Sequence, residues 1–151
     1  MRPKEPSAHQ IQPLDPEKIK VEMVLSRKWK KEAKVIKEKL RKASVKRVMI
    51  QYVRVGNPPT NLVIGRDIPA DIARLAIELA LAYNKDIHTI LPEFRFFPHY
   101  IAIGSSAFDE QAEIPIFPED LERLRDPSLS TEEFHALYRS LTGEDEALPT
   151  Y

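Results

Sequence analysis

The chain contains no cysteine. This excludes a disulfide scaffold, a thiolate zinc site and a cysteine nucleophile. It also fits a reducing compartment, so a soluble, cytoplasmic protein is the expectation. Glycine is scarce, at 4 residues against 13 prolines. No glycine-rich phosphate loop, no G-x-G-x-x-G turn and no G-x-S-x-G elbow is present. Long apolar runs are missing too. The most apolar stretch, Ile68 to Tyr83, is interrupted by Asp71, Arg74 and Glu78, and it reads as a buried helix rather than a membrane span. The opening "MRPKEPSAHQIQPLDPEK" has no apolar core of the kind a signal peptide needs. Residues 1–14 read as a disordered Pro-rich linker, which suits the soluble domain of a larger protein.

What the chain does have is enough apolar material for a core. Hydrophobic residues make up 42% of 151 positions, which fits one compact domain with appendages. The net charge is zero but the charges are segregated. Glu17 to Arg47 holds 13 Lys/Arg against 4 Glu, and Ser106 to Tyr151 holds 3 Arg against 12 Asp/Glu. Such a separation either steers an acidic partner to the basic end or holds the two ends together, within one chain or between protomers.

Hydrophobic periodicity then divides the chain. Ile19, Met23, Ser26, Trp29, Ala33, Ile36, Leu40 and Ala43 recur at spacings of three and four, predicting a long basic helix over 15–43 with Asp15 as N-cap and Pro16 at the first position. After Ser44 the period becomes two. "VKRVMIQYVRV" reads as a strand, "GNPPT" as a turn and "NLVIG" as a second strand paired with the first in a hairpin. "RDIPADIARLAIELALAYNK" is a helix with Asn84 just past its end. "DIHTIL" and "HYIAIG" are two further strands, expected to pair across residues 92–98. The helix between the second and third strands allows a right-handed crossover, which would make those strands parallel. Two short helices follow, one opening at Pro118 and one carrying Ser130 and Glu133 at capping-box spacing with Gly143 behind it. The expectation is therefore an α/β (α+β) two-layer sandwich over 15–141, with a four-stranded sheet in the order αββαββ and then two short helices. Residues 142–151 would be a flexible acidic tail.

Several residue groups are candidates for function, each with a plainer reading beside it. Phe94, Phe96 and Phe97 form an aromatic loop between Pro92 and Pro98, either a contact surface or a cap on the core. Tyr52 and Tyr100 are expected to lie with Val48, Ile50, Arg54, Val63, His88 and Ile90 on an outer sheet face too apolar for solvent alone. Lys28, Trp29, Lys30, Lys31 and Lys34 could bind nucleic acid by charge and stacking, although a lysine-rich helix face is commonly just solvated. Arg66, His99, Ser105 and Ser106 form an alternative ligand site if the strand ends "IGRD" and "IGSS" share one crevice. With Asp109 they also supply the residue types of a hydrolase, but serine and aspartate after a strand commonly cap their own turn. Under the predicted pairing His88 and His99 point to opposite faces, so no metal site is expected, and no cofactor or catalytic residue is assigned. These features favour a non-catalytic protein-interaction or oligomerisation module, either a homo-oligomer or one that meets a partner with an acidic surface. A nucleic-acid-binding module and a small ligand-binding or enzymatic domain are the alternatives.

Overall fold

Lys20–Leu25 is a strand, not part of a helix. In the computed structural model, which describes residues 15–84, 87–92, 98–105 and 113–143, the segment predicted as one long helix divides into four pieces. A 3-10 turn, Pro16–Lys18, is capped by Asp15, whose carboxylate accepts from Glu17 N–H at 3.0 Å. Strand β1, Lys20–Leu25, follows. A second 3-10 segment, Arg27–Glu32, leads into helix α1, Ala33–Lys42. The physical reason lies in Val21, Met23 and Leu25, all fully buried, with Lys20 exposed and Glu22 and Val24 half-buried. That alternation suits a strand. A helix would carry Met23 about 200° round from Val21 and out of the core.

The remaining elements are β2 (Arg47–Tyr52), β3 (Asn61–Ile64), α2 (Ala70–Tyr83), β4 (Thr89–Ile90), β5 (Tyr100–Ile103), β6 (Ile114–Pro115), α3 (Pro118–Leu124) and α4 (Thr131–Thr142). One mixed sheet takes all six strands found among the described residues, in the order β2-β1-β5-β3-β4-β6, two strands more than expected. The mixed α/β class holds, and the crossover through α2 does make β3 and β4 parallel. Neither predicted hairpin forms. β2 pairs with β1 in parallel, not with β3. β4 pairs with β3 and β6, and β5 lies between β1 and β3. Two parallel β-helix-β units, β1-α1-β2 and β3-α2-β4, thus run in opposite directions with β5 inserted between them.

Register places one continuous apolar row under the helices. Val21, Met23 and Leu25 sit opposite Val48, Ile50 and Tyr52 on one side and, for the first two, Ile101 and Ile103 on the other. Ile103 and Ile101 in turn face Leu62 and Ile64. Ile36 and Leu40 of α1, the inner face of α2, Leu121 and Leu124 of α3, and Phe134 and Tyr138 of α4 join that row in one core. All four α-helices among the described residues therefore lie on one face of the sheet, giving two layers. Val48, Ile50, Tyr52 and Ile90 belong to this helix-facing side, which corrects the expected outer apolar face. The opposite face holds a smaller cluster of Val63, Leu91 and Ala102, with Tyr100 at its edge.

Helix α4 is tied to the start of α2 by polar contacts. The Ser130–Glu133 capping box forms as expected, with bonds of 2.9 and 3.1 Å, and Gly143 ends α4 in the left-handed conformation. Thr131 Oγ1 accepts from Ala70 N–H at 3.0 Å, joining the starts of α4 and α2. His135, fully buried, lies 2.8 Å through Nε2 from the Ile68 carbonyl.

Candidate functional site

The linker from β2 to β3, residues 53–60, must pass the ends of β1 and β5, because those strands separate β2 from β3. Three inter-strand spacings make that passage about 14 Å. Pro58 is buried within the linker. The linker closes over the exit of β5 at Gly104, where φ is +72° and a Cβ would stand 3.1 Å from both the Pro59 and the Val24 carbonyl oxygens. Gly104 turns the chain, and its N–H donates to the Asn61 carbonyl at 2.9 Å. The Asn61 side chain then grips the next residue in both directions. Its Oδ1 accepts from Ser105 N–H at 3.0 Å and its Nδ2 donates to the Ser105 carbonyl at 2.9 Å. Beside this clamp Asn84, only 7% exposed, presents an amide with no hydrogen-bond partner among the described residues.

This arrangement decides how the residues of the alternative ligand site are placed. β3 and β5 are antiparallel, so Gly65 and Gly104 end their strands at opposite ends of the sheet's strands. Arg66 lies beside the start of β5, where Gly65 N–H donates to the Tyr100 carbonyl and Asp67 N–H to that of Pro98. His99 is at that same end. Ser105 is at the other, on the order of 20 Å along the strand. The structure brings Arg66 and His99 to one end of the strands and keeps Ser105 apart from both. Ser106 and Asp109 lie outside the described residues, as do Phe94, Phe96 and Phe97. Among the described residues no group of three or more His, Asp or Glu is placed to hold a metal ion, and no helix is long and apolar enough to cross a membrane.

The two tyrosines do not share a surface. Tyr52 pairs with Leu25 on the helix side. Tyr100 pairs with Lys20 on the other face, where its hydroxyl donates to Glu22 Oε2 at 2.7 Å. Burial, reinforced by this bond and the carboxylate charge, pushes the Tyr100 phenol well above its usual range. A raised folded-state pKa stabilises the fold below the ordinary tyrosine value and loses that contribution as pH rises past it. The stability advantage of the native chain over Tyr100→Phe is therefore expected to be greatest at neutral pH and to shrink above about pH 10. Urea unfolding of both proteins across that range measures the difference, and parallel curves would contradict the assignment.

The basic candidates fall on the 3-10 segment and the start of α1. Trp29 is half-buried and meets Tyr83 edge-to-face at 5.1 Å, with Lys28 Nζ 5.3 Å from its ring centre. The indole joins the core margin and does not stand clear as a stacking platform. Lys28, Lys30, Lys31 and Lys34 are exposed.

One surface was missed. The C-terminal end of α2, β6 and α3 enclose a mostly apolar groove of about 480 Å³, lined by Leu81, Ile87, His88, Pro115, Ile116, Phe117, Pro118, Leu121 and Glu122. Phe117 is 62% exposed and occupies the N-cap position of α3, with no side-chain cap bond. The signal was in "IFPED": an aromatic ring stands where serine or aspartate would cap the helix better. No family model matches the chain, nor does any curated protein or solved structure.

Proposed function

We propose that the chain is a protein-interaction module that self-associates through the Phe117 groove. The observation that carries this reading is an exposed phenylalanine standing on the wall of an apolar groove. The two features form a self-complementary patch, since a two-fold axis would seat each Phe117 in the partner's groove. Burying such a ring is worth about 1.5–3 kcal/mol, so leaving it in water forfeits stability that association would recover. Pro115 and Pro118 stiffen the rim on both sides, which lowers the ordering cost of docking. The segregated candidate residues support binding over hydrolysis.

Phe117→Ser tests the reading cleanly. Serine removes the ring and supplies the missing N-cap side chain, so the fold should be unchanged or about 0.5–1 kcal/mol more stable. Self-association, followed by sedimentation equilibrium over rising protein concentration, should weaken at least tenfold. A native chain that stays monomeric throughout, or a variant that associates equally well, would refute the proposal.

A further inference from the structure

We infer that the opposite edge of the sheet is a docking site for an extended acidic segment of a partner protein, which adds to β2 as a parallel or antiparallel strand. This goes beyond self-association and uses a separate surface. β2 ends the sheet at six residues, Arg47–Tyr52, with no proline to interrupt it. Val53 N–H donates to the Leu25 carbonyl at 3.0 Å, which sets the ladder phase. Residues 47, 49, 51 and 53 turn their backbone groups toward β1, so Val48, Ile50 and Tyr52 turn theirs outward. These have no strand partner among the described residues. An uninterrupted free edge is a template for strand addition.

Charge selects the added strand. Between α1 and this edge runs a groove of about 450 Å³, lined by Lys37, Arg41, Val45, Lys46 and Val48. Alternate side chains of a strand docked on β2 would point into it, onto an apolar floor with three cations around the rim. The counter-charges are weak: Glu38 lies 3.7 Å from Arg41 and Glu17 3.8 Å from Lys46, all on exposed side chains, and Lys37 has no ion pair among the described residues. A second copy is the poorer occupant. The described acidic residues of its C-terminal half lie mostly on or beside α3 and α4, whose backbones are already hydrogen-bonded within the helix.

The probe is a short capped peptide of alternating threonine and glutamate, labelled for fluorescence anisotropy. It should bind the intact protein at low salt and weaken as salt rises. The triple variant Lys37→Glu, Arg41→Glu, Lys46→Glu should lose at least tenfold in affinity. Lys37→Glu alone, checked by circular dichroism, should lose less but measurably. Phe117→Ser should bind as the native chain does, which separates this site from the groove at the other edge. Hydrogen exchange should show new protection at the Val48, Ile50 and Tyr52 amides in the complex. The inference is overturned by absence of binding at low salt, by a threonine–lysine peptide binding equally well, or by binding that leaves those amides unprotected. It is also overturned if the triple variant abolishes self-association, since the edge would then be occupied by another copy.

Discussion

Gly104→Ala is expected to destabilise the fold by about 2–5 kcal/mol, a large share of the roughly 5–15 kcal/mol that holds a domain together. Two costs combine. A left-handed φ of +72° disfavours an L-residue by roughly 1–2 kcal/mol. The new methyl would also clash with Asn84 Nδ2 and lie 3.1 Å from two backbone carbonyls, of Pro59 and Val24. Overpacking of this kind costs about 1–3 kcal/mol, and here the linker over the strand ends would have to move. Gly56→Ala is the control, because φ there is +78° with nothing within 4 Å of the added carbon. It should show the conformational cost alone. Adding Asn84→Ala to Gly104→Ala removes the nearest clash and should restore about 1 kcal/mol, read as coupling in a double-mutant cycle. Urea unfolding of the native chain, the single variants Gly104→Ala, Gly56→Ala and Asn84→Ala, and the double variant measures all of this. If Gly104→Ala is no worse than Gly56→Ala, the close approach of the linker is not what requires glycine.

The same glycine marks the boundary of what the sequence makes legible. "IAIG" reads as a strand with a turn behind it, and so it is. That the turn exists because a proline-containing linker crosses above it cannot be read locally, since the linker belongs to residues 53–60 and the crossing follows from strand order. Local chemistry was informative wherever one element decides its own structure. The capping box of α4, the proline opening of α3 and the end of α2 at Asn84 all fall where side-chain type and period place them. It failed where two periods fit. Ile19, Met23 and Ser26 satisfy helical spacing, while Ile19, Val21, Met23 and Leu25 satisfy strand alternation. A place between β2 and β5 decides in favour of the strand, and that information is non-local. Sequence neighbours joined by short links suggested hairpins. Parallel pairing through α1 overrides this, because β1 must bury its apolar row on both flanks.

The candidate sites were less legible than the fold for a related reason. Arg66 and Ser105 follow matching strand endings, and the antiparallel pairing of β3 with β5 puts those endings at opposite ends of the strands. The β2 edge, unpaired on its outer side among the described residues, is likewise a property of sheet order: "RVMIQY" would be an interior strand if one more partner lay beside it. Phe117 is the exception. A poor capping residue ahead of "PED" is visible in the sequence, and its exposure is what gives that misfit a use.

Tyr138→Phe should cost about 2–4 kcal/mol despite removing a single oxygen. Tyr138 is fully buried in α4. Its hydroxyl donates to the Leu91 carbonyl at 2.6 Å and accepts from Ile64 N–H at 3.4 Å. One side chain thus satisfies backbone groups at the ends of β3 and β4, and anchors the last helix to the sheet. Phenylalanine keeps the ring packing against Phe134, whose ring centre lies 6.3 Å away, so no cavity term complicates the result. What remains is a buried acceptor and a buried donor each losing this partner, at about 1–3 kcal/mol apiece, with the longer bond at the low end. For a domain of this size each kcal/mol lowers Tm by roughly 2–4 °C, so a fall of about 4–16 °C is expected. Hydrogen exchange should locate the effect: faster opening at Ile64 N–H and through α4, with β1 and β2 little changed. A uniform loss across the sheet, or a Tm within a degree of the native value, would show that α4 is held by packing alone. Because Tyr138 lies in the helix layer, on neither the Phe117 groove nor the β2 edge, both binding measurements should survive the substitution at temperatures where the protein is folded. That outcome would separate the element that completes the core from the two surfaces on which the interaction reading rests.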